Sequence, residues 1–142
     1  MKPKLVTSIA ALMVNLLISA QAFGADIKVI DPWSRALPPT VSAGAAYFEI
    51  TNQSDRTRTL VDAHSDIAKA VEFHSHEMAN GMMQMRRLLE VPIVPNASVS
   101  FEPGGHHVML LGLNRPLVAG KRFNLTLIFA NGETKTLLVH IR

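Results

Sequence analysis

The chain has 142 residues, 48% hydrophobic and 18% charged, which is material for one buried core and far from the make-up of a disordered polymer. It contains no cysteine, so disulfides, thiolate metal sites, CxxC redox chemistry, a nucleophilic thiol, a blue-copper centre and the acylated cysteine of a bacterial lipoprotein are all excluded. The formal net charge of +3 shrinks once the N-terminal segment described next is set aside.

Lys2 and Lys4 form a short basic start, and Leu5 to Ile18 is apolar apart from Thr7, Ser8 and Asn15. Ala20-Gln21-Ala22 and Ala22-Phe23-Gly24 both fit the small-x-small pattern of signal peptidase. The apolar run is too short for an anchor, which needs about 20 residues. Residues 1–24 are therefore expected to be a removable signal peptide, with cleavage after Ala22 or Gly24, and residues 25–142 the exported domain. No later segment resembles a membrane span, so no membrane insertion is expected after cleavage. Of the 14 Lys+Arg, two depart with the signal, leaving 12 against 11 Asp+Glu. A nearly neutral domain without a basic run or interleaved aromatics is not a nucleic-acid binder.

Beyond the signal, short apolar runs bounded by Gly, Pro, Asn and Asp recur along the chain, and long helical periodicity is missing. Gly44 to Thr51 reads as a strand entering the turn Asn52-Gln53-Ser54-Asp55. Lys69 to His76 and Met82 to Leu88 follow, joined through Asn80-Gly81, and then Ser98 to Phe101. Pro103-Gly104-Gly105 turns the chain into His107 to Leu113. In Arg122 to Phe129, Phe123, Leu125, Leu127 and Phe129 alternate with Arg122, Asn124, Thr126 and Ile128. Asn131-Gly132 is the strongest hairpin signal, with Thr134 to Ile141 as the return strand. About seven to nine short strands in one domain predict an all-β fold, an antiparallel β-sandwich with Greek-key connections.

The chemistry concentrates where histidine and methionine coincide. After the signal there are five methionines (Met78, Met82, Met83, Met85, Met109) and six histidines, and nine of these eleven residues fall in the 36 positions from His74 to Met109. A single Met is ordinarily a core filler, and a single His a surface or hydrogen-bonded residue. Core filling gives no reason for the two to cluster. Thioether sulfur is soft and imidazole borderline, and that mixture without thiolate or carboxylate suits Cu(I) better than Zn(II), Ca or Mg.

Strand periodicity puts His107 and Met109 on one face. A two-residue loop at Asn80-Gly81 would place His74, His76, Met78, Met83 and Met85 together on another shared face, with His76 directly opposite Met85 and His74 diagonal to it. Cross-strand neighbours lie about 5 Å apart and diagonals about 7–8 Å, so either histidine could share a metal with Met85. The turn alone leans toward His76.

The spacing His74, ten residues, Met85, twenty-one residues, His107, one residue, Met109 resembles the periplasmic copper chaperone family PCu(A)C. Val71-Glu72-Phe73-His74, Asn80-Gly81-Met82-Met83-Gln84-Met85-Arg86, the stretch from Pro103-Gly104-Gly105-His106-His107 to Gly112-Leu113, and Gly44-Ala45-Ala46-Tyr47-Phe48 with Thr51-Asn52 look similar too. The resemblance implies a cupredoxin-like β-sandwich that binds one Cu(I) per chain through His74, Met85, His107 and Met109. His76 has no partner at the family spacing, the residue eleven further on being Arg87, so His74 is preferred, with a β-bulge invoked to shift the hairpin register by one residue. Met78 and Met83 are expected to pack, with shielding of the site or a transfer path as the alternatives, His106 to face solvent, and His64 and His140 to lie outside any constellation. Some relatives carry a His- and Met-rich C-terminal tail; this chain ends at His140-Ile141-Arg142, and that second site is expected to be absent.

The implied role is a periplasmic, monomeric metallochaperone that delivers copper to a respiratory cytochrome c oxidase subunit of the CuA type, with a thiol-bearing Sco-type chaperone as a further partner. The alternatives are a periplasmic copper buffer or resistance protein, and a β-sandwich interaction module without metal. Nothing in the sequence arranges a general acid, base or nucleophile, and no enzyme is expected.

Overall fold

The computed structural model describes residues 26–142. The expected signal peptide, residues 1–24, lies outside the described residues. Among the described residues the fold is all-β: ten strands, no helix, and hence no helix long and apolar enough to cross a membrane.

The strands are β1 (Ile27–Ser34), β2 (Ala43–Asn52), β3 (Arg58–His64), β4 (Ala68–Ala79), β5 (Met82–Leu88), β6 (Val91–Ile93), β7 (Ser98–Phe101), β8 (His107–Leu113), β9 (Arg122–Phe129) and β10 (Thr134–Ile141). They pair in the order β5-β4-β8-β2-β1-β10-β9-β3-β6, with β7 also on β2. All pairings are antiparallel except β1 with β10. β1 joins the two halves: Trp33 pairs with Tyr47 of β2 on one side and His140 of β10 on the other, beyond a register shift after Ile30 where Asp31 has φ of 49°. The chain crosses repeatedly between halves, so β2 and β3 are consecutive in sequence yet separated in the sheet order, as Greek-key connections require.

The core is fed from both halves. Ala46, Phe48 and Ile50 of β2, Val71 and Phe73 of β4, and Val108 and Leu110 of β8 join Leu60, Leu125, Leu127, Val139 and Ile141 in one buried cluster. Phe101 stacks on Phe48 at 4.7 Å between ring centroids and tilts against Phe73 at 6.0 Å. Strand alternation then decides what lies on the opposite face. With Val71, Phe73, Val108 and Leu110 turned inward, Glu72, His74, His76, His107 and Met109 are turned outward.

Two hairpins set the registers that matter. Asn80 and Gly81 form a two-residue loop with φ of 51° and 75°, the positive pair of a type I′ turn, and Ala79 pairs with Met82 directly across it. At the other hairpin the loop is three residues, Ala130 to Gly132, because Phe129 N–H donates to the Glu133 carbonyl and Gly132 takes φ of 86°. That left-handed glycine closes the longer turn, so the Asn-Gly pair marks the hairpin but not its length.

Candidate metal centre

The outward face of β5-β4-β8 gathers the residues singled out by the sequence. On β4 and β5 the register runs unbroken from Ala79↔Met82 through His76↔Met85 to Phe73↔Leu88. The bulge invoked to shift this register by one residue is therefore not present: a type I′ turn already matches the strand twist and needs no extra residue. His74 instead pairs with Arg87 on one side and with His107 of β8 on the other, and Met109 pairs with Glu72.

Long side chains close the remaining gap. β5 and β8 lie on either side of β4, about 9–10 Å apart at the usual strand spacing. Met85 and His107 nonetheless meet above β4, with Met85 Sδ 3.2 Å from His107 Nε2. His107 is only 5% exposed, and its ring lies 5.7 Å from that of His74 and 5.0 Å from that of His76. His76, Met85, His107 and Met109 line an open cleft of about 290 Å³ together with Arg35 and Tyr47. His74, paired with His107 across β4 and β8, is not among the residues that line this cleft.

Hydrogen bonds determine which nitrogens are available. His107 Nδ1 donates to the Gly105 carbonyl at 3.1 Å, so Nε2 keeps its lone pair and points at the Met85 sulfur. Burial lowers the His107 pKa below its ordinary value, more than the Gly105 bond raises it, and His76, His74 and His106 push the same way as burial. The imidazole is thus held neutral, the form in which it ligates a metal. His74 Nε2 lies 2.9 Å from a Glu72 carboxylate oxygen, and Arg87 holds the other oxygen of that carboxylate at 3.3 Å. With Nε2–H donated to Glu72, the lone pair of His74 is on Nδ1.

Among the described residues, the only buried side-chain nitrogen or oxygen atoms without a hydrogen-bond partner are His74 Nδ1 and His76 Nδ1. Buried polar atoms are otherwise paired because an unmade bond costs about 1–3 kcal/mol. Two such atoms on the rings that flank His107, with the His107 Nε2–Met85 Sδ contact between the same strands, make a cluster of imidazole nitrogen and thioether sulfur that the protein itself leaves unsatisfied. A cation held here would take its donors from the His107 ring nitrogen and the Met85 sulfur that already face each other. The histidines stand beside methionine sulfur, with no cysteine in the chain, and that donor set suits a soft cation.

The other histidines lie elsewhere. His64 on β3 and His140 on β10 are exposed, and His64 lines a second hollow that Glu72 and Arg87 also border. His106 does not face solvent as expected: it is half-buried, edge-on to Phe101 at 5.9 Å. Glu72 was missed in the sequence as a contributor, although its place two residues before His74 on one strand face is the signal that could have found it.

Comparison with known proteins sets this geometry in a family. The profile of the LpqE-like family, whose description reads "Putative lipoprotein LpqE-like", matches residues 27–141. "Putative lipoprotein Lxx21020" of Leifsonia xyli subsp. xyli (strain CTCB07) is 31% identical, over 96% of this chain and 87% of that protein. Among solved structures, the copper-bound PCuAC domain from PmoF2 overlays with a TM-score of 0.70 at 25% identity, covering 82% of this chain and 92% of that domain. The solution structure of CuI-DR1885 from Deinococcus radiodurans overlays with a TM-score of 0.62 at 31% identity, covering 87% and 85%. The lipid anchor in the family's description has no cysteine to attach to among these 142 residues. The profile spans all ten strands and the overlays cover most of the sandwich, and the chain belongs to the LpqE-like family, with a domain of the PCuAC type.

Proposed function

We propose that this protein is an exported, periplasmic copper chaperone that carries one Cu(I) on His74, Met85, His107 and Met109 and gives it up by ligand exchange. The observation that carries this reading is the pair of unpartnered imidazole nitrogens, His74 Nδ1 and His76 Nδ1, set against the Met85–His107 contact. The copper named for the PmoF2 and DR1885 domains supports the choice of metal. His74 is preferred to His76 because Glu72 orients its ring, as a carboxylate commonly does for a metal-bound histidine.

Two imidazoles and two thioethers leave the charge of Cu(I) unneutralised, so an acceptor offering thiolates can take the ion without any change of oxidation state. Met85 is half exposed, which gives such an acceptor a ligand to displace first. The receiving partner in this reading is the CuA-type subunit of respiratory cytochrome c oxidase, with a Sco-type thiol chaperone as an intermediate carrier, and the protein works as a monomer. No bond of the cargo's surroundings is catalytically made or broken, so the activity is binding and transfer.

Anaerobic competition for Cu(I) against a chromogenic chelator tests the site. One tight equivalent is expected, weakened by Met109→Leu and by His74→Ala and retained by His76→Ala. Damage from His76→Ala alone would move the ligand set one rung along β4, and failure of the wild type to compete would end the copper reading. Deleting the gene should lower oxidase activity under copper limitation; raised copper sensitivity with unchanged oxidase would mark a buffer instead.

A further inference from the structure

The hairpin carries more soft donors than one copper needs. Met78 and Met83 pair directly across β4 and β5, one rung beyond His76↔Met85 toward the turn. The sequence gives them a packing role, but they are 67% and 57% exposed. A methionine held in water contributes none of the gap-filling for which cores use it. By strand alternation they share the face of His76 and Met85, and paired residues have their Cβ atoms about 4.5–5.5 Å apart. The next rung inward is about 6.6–6.8 Å away, too far for one ion to be held fully by both but close enough for His76 to serve either. His76 Nδ1 is one of the two unpartnered nitrogens, and the reading above leaves it unused. The acidic residue of the hairpin, Glu77, alternates to the opposite face and is bound there by Arg86 at 3.2 Å. The outer rung therefore offers thioether and imidazole without a carboxylate, a donor set for a soft monovalent cation and not for zinc or calcium.

We propose that Met78 and Met83, with His76 as the third ligand, form a second, outer Cu(I) station at the hairpin tip, through which the ion enters and leaves the inner site. The proposal rests on the inner site being a copper site. Transfer between stations replaces Met78, Met83 and His76 by His74, Met85, His107 and Met109 one donor at a time, with copper remaining Cu(I) throughout. The outer station has fewer donors and lies open to water, so it is the weaker of the two.

The test is anaerobic Cu(I) titration of the folded domain, residues 26–142, with ¹³C-labelled methionine methyls followed by NMR. The Met85 and Met109 methyls are expected to shift with the first equivalent, and those of Met78 and Met83 with the second. A Met78→Leu/Met83→Leu variant should keep the first equivalent, lose the second and surrender copper to a chelator more slowly. Met82→Leu is the control: its side chain is equally exposed, at 65%, but alternates to the other face, and it should keep both equivalents. Silent Met78 and Met83 methyls beside responding Met85 and Met109 would overturn the outer station and leave the inner site standing. Loss of the second equivalent in Met82→Leu as well would reduce it to unspecific thioether binding and overturn it too. No response from any methionine would overturn both.

Discussion

Glu72 decides which nitrogen of His74 is free. Its carboxylate takes Nε2–H at 2.9 Å while Arg87 steadies the other oxygen, and the lone pair is left on Nδ1. Without that partner the ring can rotate and change tautomer, and loss of such an orienting group typically costs 10–100-fold in metal affinity. Glu72→Ala should therefore lower Cu(I) affinity by about 10–100-fold in chelator competition while the far-ultraviolet spectrum stays that of the wild type. Unchanged competition would place His74 outside the ligand set. The Gly105 carbonyl does the same for His107, but it is a backbone group fixed by the turn and has no side chain to remove.

At the level of strands, the face a side chain occupies depends on register, and the exposed strand β5 allows this to be tested without touching the core. All of Met82 to Arg87 is exposed, so exchanging two neighbours there changes chemistry and little else. The double substitution Gln84→Met/Met85→Gln keeps the composition and moves the thioether to the opposite face. It should abolish the tight Cu(I) equivalent with the thermal midpoint within a few degrees of wild type; retained affinity would mean that Met85 is not a ligand. The register of this hairpin was legible in the turn, since Asn80-Gly81 states its type and leaned toward His76 opposite Met85, but the bulge invoked on the family spacing was not borne out. The strands the sequence did not reveal are those whose pattern is broken. β1 contains Asp31-Pro32 at its register shift, β3 has polar residues at Asp62 and His64 beyond a shift of its own, and β6 is three residues with proline in the middle. Each is defined by its partners and not by its own periodicity. The four-residue spacing located the candidate site; the role of Glu72 and the exposure of Met78 and Met83 depend on neighbours that only the folded sheet brings together.

Across the whole molecule, the ends of the sandwich away from the cleft are held by ordinary means, and these set its acid limit. Arg58 bridges Glu133 and Asp26, and the hydrogen bond from Arg58 holds the Glu133 carboxyl below its ordinary value of 4.5. A carboxyl depressed in the folded state adds stability above its unfolded value and loses it as pH falls through the folded one. Because the pair is partly open to solvent, Glu133→Gln should cost no more than about 1 kcal/mol near pH 7, and the wild type and variant should converge in urea unfolding once the pH is low enough to protonate Glu133 in the folded state. A constant gap between them down to that pH would show that the pair contributes through packing and not charge. The soft donors, by contrast, are on the face of the sheet turned from the core, and none of the buried hydrophobic cluster depends on them. A zinc finger robbed of its ion collapses, because the ion is its core. Here the core lies on the other face of the sheet, so loading and emptying are expected to leave the sandwich intact, and the empty protein is not a casualty awaiting degradation but a vessel that can be filled again.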